Sequence, residues 1–264
     1  MTNDAGLTHA TLREAALRKV PEITVAFWIT KVLTTGMGES TSDYLVQNFD
    51  PVISVLCAAV AFGVVMILQL RVKKYIAAVY WLAVVMVSVF GTMCADVVHI
   101  VIGIPYWVST IFFGIVLAVI FVWWRRSQGT LSIHSITTRP RELFYWATVL
   151  ATFALGTAAG DLTATTLQLG YLGSGILFAV IIAIPAIGWW KFKLNAIFAF
   201  WFAYVVTRPL GASFADWMAV SPERGGLGWG AGPVSIALSV LIVCFVAYLG
   251  VSRSRADRKL ALQA

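Results

Sequence analysis

Charge is scarce in this chain. Only 12% of its 264 residues are Asp, Glu, Lys or Arg, and no polar stretch is long enough to form a soluble domain. Cysteine is almost absent: Cys57, Cys94 and Cys244 are too few for a disulfide framework. Cys57 and Cys244 fall on different helical runs from the acidic motifs described below. Cys94 projects roughly 160 degrees away from Asp96 on an ideal helix. All three read as small hydrophobes without a thiolate metal site. The chain also lacks a zinc-binding HExxH, a GxSxG elbow and a phosphate-cradling Gly-rich loop, and Gly225-Gly226, near Trp229 and Gly232, has no following Lys-Ser/Thr and reads as a turn. An enzyme is therefore the weakest expectation. The first twenty residues hold Arg13, Glu14, Arg18 and Lys19 but no apolar run or small-residue cleavage site, which argues against a cleavable signal peptide. Residues 8–19 suit a short amphipathic surface helix or a frayed tail.

What the chain has is apolar surface. Hydrophobic residues make up 60% of it, and the mean hydropathy is +0.86, values that belong to a polytopic membrane protein. Runs of spanning length fall at about 22–48, 52–70, 75–101, 105–124, 142–168, 171–190, 194–219 and 232–252. The expected fold class is an all-α integral membrane protein of eight transmembrane helices. Sixteen of the 19 basic residues lie at the N-terminus, at 71–74, 125–141 and 191–193, or in the C-terminal tail. These are alternate ends of the helices, and the opposite loops hold only Arg224, so the positive-inside rule puts both termini in the cytoplasm. The net charge of +7 reflects that topology and anionic headgroups of the membrane lipid, and implies no nucleic-acid partner.

One pattern repeats four times: Trp, nine residues, Gly, four residues, Asp. Its copies are Trp28/Gly38/Asp43, Trp81/Gly91/Asp96, Trp146/Gly156/Asp161 and Trp201/Gly211/Asp216. With 21 Gly in the chain and Asp rarer still, chance completes the pattern after a given Trp on the order of once in five hundred times. Each repeat is two helices, so all four enter the membrane in the same direction and are parallel repeats. Spacings of 53 and 55 residues within pairs, against 65 between Trp81 and Trp146, divide the chain into two halves. The expected organisation is an N-terminal segment 1–20, a first half 21–124, a cytoplasmic connector 125–141, a second half 142–252 and a cytoplasmic tail 253–264.

Positions 0, 7, 11 and 15 from the Trp share one helical stripe about 80 degrees wide. The first repeat places Trp28, Thr35, Glu39 and Asp43 there. The second places Trp81, Ser88, Thr92 and Asp96, with His99 one turn on; the third Trp146, Thr157 and Asp161; the fourth Trp201, Arg208 and Asp216. Charges in hydrocarbon are expensive, so the four motif helices are expected to turn these stripes towards a common axis with the other helices outside. Fifteen residues rise roughly 22 Å, which sets the tryptophans near the inner interface and the aspartates in the outer part of the membrane.

Each motif Trp follows an aromatic residue, Phe27, Tyr80, Tyr145 or Phe200, and anchoring or packing is the leading expectation over ligand contact for Trp28, Trp81, Trp146 and Trp201. The motif glycines read equally as sites of close helix packing or as helix breaks; Gly36 with Gly38, and Pro209 with Gly211, favour local unwinding. The aspartates could instead merely tie neighbouring helices together. His99 reads as a satisfied interfacial histidine or a metal ligand. Lys31 could snorkel to the inner surface. Arg208 could pair with an acid, gate a path or bind an anion.

Four Asp and one Glu at close quarters in low dielectric cannot all stay ionised unless protons or a cation join them. Competition between the two supplies a coupling mechanism. The carboxylates Glu39, Asp43, Asp96, Asp161 and Asp216 are the expected metal ligands. Thr35, Thr92 and Thr157 would assist, and Arg208 and Lys31 would serve as gates or counter-ions. Oxygen ligands suit Mn²⁺, Mg²⁺ or Ca²⁺ better than copper.

Lys19-Val20-Pro21-Glu22, the Phe27-Trp28 pair and the Gly38-x-x-x-x-Asp43 tail resemble a family of bacterial membrane-anchored proteins made of four tandem two-helix repeats, each marked by a tryptophan. The resemblance covers residues 20–252. It implies a bacterial inner-membrane protein of eight helices and carries no activity. The residues themselves favour a proton-coupled transporter of a divalent cation, with no resident cofactor. A proton-coupled carrier of a small organic solute, touched by the tryptophans and by Arg208, is the alternative. A structural or partner-binding membrane protein is the third reading.

Overall fold

The computed structural model describes residues 18–263. The surface helix considered for residues 8–19 lies, except for its last two residues, outside that range. Eight long helices occur among the described residues: α1 (Val25–Asn48), α2 (Pro51–Arg71), α3 (Ala77–Asp96), α4 (Tyr106–Gln128), α5 (Arg139–Asp161), α6 (Gly170–Phe192), α7 (Ala196–Ala219) and α8 (Ala231–Gln263). No strand occurs among them. Seven of the eight are long and apolar enough to cross a membrane. The exception is α1, whose 24 residues match α7 in length but include Lys31, Glu39 and Asp43.

Local chemistry sets the helix ends. The Thr24 hydroxyl accepts from the Phe27 amide at 3.2 Å, and the Asp50 carboxylate caps α2 through the Ile53 amide at 3.0 Å, with Pro51 as its first residue. The Asn195 side chain accepts from two amides at the start of α7. Gly129, at φ +74°, ends α4 in the left-handed region. Helix α8 continues past the apolar limit at Ser252, so the expected tail from 253 is a helical extension.

Burial sorts the helices into two shells. The apolar windows of α3, α5 and α7 are 56–67% buried, whereas those of α2, α4, α6 and α8 are 11–22% buried. The inner helices α1, α3, α5 and α7 form a closed ring, each packed on the next and α7 back on α1. The outer helices are handed forward. Helix α2 packs mainly on α3, α4 on α5, α6 on α7, and α8 closes the circle on α1. No repeat covers its own inner helix well, so the four interlock.

The connector is shorter than its sequence suggests and is not an open linker. Helix α4 runs to Gln128 and α5 starts at Arg139, leaving residues 129–138 with a 3₁₀ turn at Ile133–Ser135. Ile133 and Ile136 are buried, and the Ile136 carbonyl accepts from the Lys19 amide at 3.2 Å. Composition concealed this because the anchoring contacts are main-chain bonds and two isolated isoleucines.

Candidate functional site

The inner ring is built in levels, and at the aromatic and glycine levels a residue of each repeat meets a residue of the next. At the first level the aromatic residue before each motif Trp packs on the following repeat's Trp: Phe27 on Trp81 at 5.7 Å, Tyr80 on Trp146 at 5.5 Å, Tyr145 on Trp201 at 6.1 Å and Phe200 on Trp28 at 5.6 Å between centroids. Tyr80 and Tyr145 also share a hydrogen bond between their hydroxyls. Trp81, Trp146 and Trp201 are buried. The tryptophans therefore pack as an aromatic floor across the ring rather than anchor an interfacial belt.

Three residues after each Trp stand Lys31, Val84, Val149 and Tyr204, all fully buried. Lys31 does not snorkel. Its Nζ lies 4.1 Å from the Phe153 ring centroid and 4.4 Å from that of Tyr204, and it has no hydrogen-bond partner among the described residues. The two ring faces enclose the amine.

The motif glycines explain the next level. Thr35, Ser88, Phe153 and Arg208 stand seven residues after each Trp, and each occupies the space a side chain would need at the preceding repeat's glycine. A Cβ at Gly38 would overlap Ser88, one at Gly91 Phe153, one at Gly156 Arg208 and one at Gly211 Thr35. These are sites of close helix packing. The expected unwinding is not found there, since α1 and α7 run unbroken through Gly36, Gly38, Pro209 and Gly211. Irregularity falls instead directly after two motif aspartates, as single π-helical turns at Val97–Val101 and Leu162–Thr166. An extra residue per turn leaves no compositional signal, whereas Pro and Gly do.

At the centre lies Arg208, fully buried. One of its terminal nitrogens donates to Glu39 Oε2 at 2.5 Å, to Thr157 Oγ1 at 2.7 Å and to Thr92 Oγ1. The other donates to the Thr35 carbonyl at 3.3 Å. Its guanidinium carbon lies 5.2 Å from the Phe153 ring centroid. Thr92 also donates to Glu39 at 3.4 Å. Glu39, Thr92 and Thr157 are equivalent positions of three repeats, eleven residues after the Trp; the fourth has Ala212, whose small side chain leaves the space to Arg208. Every repeat thus contributes to one buried ion pair and its hydroxyl partners. Thr35 contributes its carbonyl here, while its hydroxyl is held by the Val32 and Thr207 carbonyls.

The aspartates form the last level. Asp216 is buried; Asp43, Asp96 and Asp161 are half-buried. None of the four forms an ion pair among the described residues. Each feels the charge of Glu39. Among the described residues only Asp96 is bonded to a neighbouring helix through its carboxylate, accepting from Ser42 at 3.4 Å. The carboxylates are not gathered into a cage: among the described residues no three His, Cys, Asp or Glu side chains stand together closely enough to hold a metal ion. The five expected metal ligands divide instead, with Glu39 committed to Arg208 and the aspartates ranged beyond it. His99 stands apart, 3.3 Å from the Ile104 carbonyl and from Ser109, with its ring 4.3 Å from that of Tyr106. It fastens the π turn to the start of α4.

Three features escaped the sequence reading. Phe153 and Tyr204 are repeat-equivalents of Arg208 and Lys31, and aligning repeats by position rather than by polarity would have found them. The pair Lys19–Glu142, with Gln69 donating to Glu142 at 3.1 Å, ties the N-terminal segment, α2 and α5 together. Beside the aspartates, Thr163, Ser174 and Ser213 form a small hydroxyl chain between α5, α6 and α7.

The ring of interlocked repeats, apolar outside and charged along its axis, is an all-helical tandem-repeat arrangement whose seven long apolar helices are compatible with a multi-pass membrane protein. The chain belongs to the family built from the repeat of unknown function DUF347, whose model matches residues 26–75, 79–130, 144–195 and 199–254. Neither a curated protein nor a solved structure matches it.

Proposed function

We propose that this protein is a proton-coupled carrier of a divalent cation, Mn²⁺- or Mg²⁺-like, in the bacterial inner membrane. In this reading α1 is an eighth span, shielded from lipid by α3, α7 and α8, and both termini are cytoplasmic, a reading the distribution of basic residues supports. One observation carries the proposal. Four repeat-equivalent aspartates, free of ion pairs among the described residues, stand beyond a single buried Glu39–Arg208 pair.

A ring of acids at one end of a helical bundle concentrates cations there. Because the ring is too open to coordinate a bare ion, the arriving cation keeps water in its shell, as Mg²⁺ does. Deeper entry sets the cation against the Arg208 guanidinium for Glu39. Arg208 cannot release its charge as a proton, so it leaves Glu39 only by moving, and this makes the pair a gate. Lys31 lies beyond the pair with its Nζ over the Phe153 and Tyr204 rings, and the aromatic floor closes the path. Protons compete with the cation for the aspartates, and that competition is the coupling. Thr92 and Thr157 offer hydroxyl oxygens on either side of the gate.

A carrier of organic solutes that stack on the motif tryptophans has less support, because Trp81, Trp146 and Trp201 are packed into the floor. The test is flux in liposomes containing the purified chain, with divalent ions screened with and without a pH gradient. Metal and protons are expected to compete, and Asp43→Asn and Asp161→Asn each to abolish flux while remaining folded. Unchanged flux in both variants removes the proposal.

A further inference from the structure

Two grooves open on the outer face of the helical ring, and they occupy equivalent places in the two halves. The first, of about 1050 Å³, lies between α3 and α8 over Trp81. The second, of about 580 Å³, lies between α7 and α4 over Trp201. Ala77, Ala78, Leu82 and Val85 line one wall of the first. Their repeat-equivalents Ile197, Phe198, Phe202 and Val205 line the second. The opposite walls also correspond, with Val246 matched by Phe121 and Gly250 by Arg125.

Each groove carries a cation near the end that also holds the motif Trp: Lys74 in the first and Arg125 in the second. Repeat duplication does not explain this. Lys74 precedes α3, and its counterpart before α7 is Leu194, whereas Arg125 sits on α4, and its counterpart on α8 is Gly250. The same charge at the same end is supplied from opposite walls. Lys74 and Arg125 are both exposed, and neither forms an ion pair among the described residues. The first groove also holds an unsatisfied donor. Trp201 donates its indole N–H to the Leu131 carbonyl at 2.9 Å, while the equivalent nitrogen of Trp81, a residue only 1% exposed, has no partner among the described residues.

We infer that the two grooves are binding sites for anionic glycerophospholipids. The acyl chains lie along the apolar walls, and the headgroup phosphate pairs with Lys74 or Arg125 at the basic end of the bundle. Apolar walls of this length suit hydrocarbon chains, and a basic pocket between spanning helices at the membrane surface suits an anionic headgroup. A zwitterionic lipid fits the walls equally well but adds its own cation beside the lysine or arginine, so discrimination arises at the headgroup.

Native mass spectrometry of the full chain from mixed micelles tests this. Phosphatidylglycerol or cardiolipin is expected to remain on the protein with two occupied sites, whereas phosphatidylcholine at the same concentration is lost. Lys74→Gln and Arg125→Gln are each expected to weaken retention at one site by about five-fold, the effect of one basic residue near an anionic headgroup, and the double variant to abolish the preference. Ala78→Trp, which fills the first groove, should remove one lipid and leave the other. Circular dichroism and size-exclusion profiles verify that the variants fold. Equal retention of both lipid classes, indifference to all the variants, or a dimer that excludes lipid from both grooves overturns the inference. None of these readouts depends on cation transport.

Discussion

The space that a Cβ would fill at Gly156 is occupied by the side chain of Arg208. A methyl group there would lie 2.6 Å from the Arg208 Cβ and 3.0 Å from Pro209 Cδ. Neither neighbour can retreat, because Arg208 is held at its far end by Glu39, Thr92 and Thr157. Gly156→Ala is therefore expected to destabilise the protein by about 1–3 kcal/mol, as overpacking does, and to abolish the proposed transport by displacing the guanidinium. Gly114→Ala, on the outer helix α4 with only Leu155 at 4.0 Å, is the control and should change neither. Thermal unfolding in detergent and liposome flux check both.

Arg208 and Glu39 should behave as one unit. Removing either partner leaves a charge buried in the ring, so Glu39→Gln or Arg208→Met is expected to cost about 3–5 kcal/mol. The double variant should lose much less than the sum, because it removes both charges together. Arg208→Lys is expected to resemble Arg208→Met, since an ammonium cannot span Glu39, two threonine hydroxyls and the Thr35 carbonyl as a planar guanidinium does. A double-mutant cycle on unfolding midpoints supplies the test, and simple additivity would refute the coupling.

The repeat pattern made the helices and the polar axis legible before any coordinates. Trp, Gly and Asp recur because each has a job at a fixed height: the Trp receives the previous repeat's aromatic residue, the Gly admits the next repeat's side chain, and the Asp belongs to the outermost level. What sequence could not supply was the partner at each height. A stripe says which residues face inward, but not that Phe153 and Tyr204 would cradle Lys31, or that Glu39 would be claimed by Arg208 across 169 positions of chain. The forward hand-off of outer helices was equally hidden, because four apolar helices of similar composition carry no label for the repeat they cover.

Glu142 joins three segments. It is 1% exposed, pairs with Lys19 and accepts from Gln69, while the Lys19 ammonium also reaches the Leu70 carbonyl at 3.4 Å. Glu142→Ala leaves a nearly buried lysine without its counter-ion and should cost about 3–5 kcal/mol. Gln69→Ala removes one hydrogen bond to a charged group and should cost about 1.5–3 kcal/mol. Limited proteolysis near residues 18–24 should accelerate in the first variant more than in the second.

His134 gives the connector a pH dependence. Although the side chain is exposed, partial desolvation against its surroundings and, secondarily, Arg18 hold its imidazole below the ordinary value of 6.5, with Glu22 opposing them. A lowered folded value means that the unfolded chain takes up the proton more readily. The contribution of His134 to connector docking is therefore complete above pH 6.5 and is lost as pH falls from there towards the folded value. NMR titration should show a His134 midpoint below 6.5, and His134→Gln should remove the accompanying loss of docking at mildly acid pH.

Lys31 is the residue whose role stability and transport should separate. Its amine is fully enclosed, has no hydrogen-bond partner among the described residues and lies over the faces of Phe153 and Tyr204. An apolar side chain of similar length would satisfy the same rings without an unpaired polar atom, so Lys31→Met is expected to raise stability by about 1–3 kcal/mol. If Lys31 is part of the gate behind Arg208, the same variant should carry cation without a pH gradient. A rise in unfolding temperature together with loss of coupling supports the gate. A fall in stability with coupling intact would make Lys31 a packing residue of the aromatic floor.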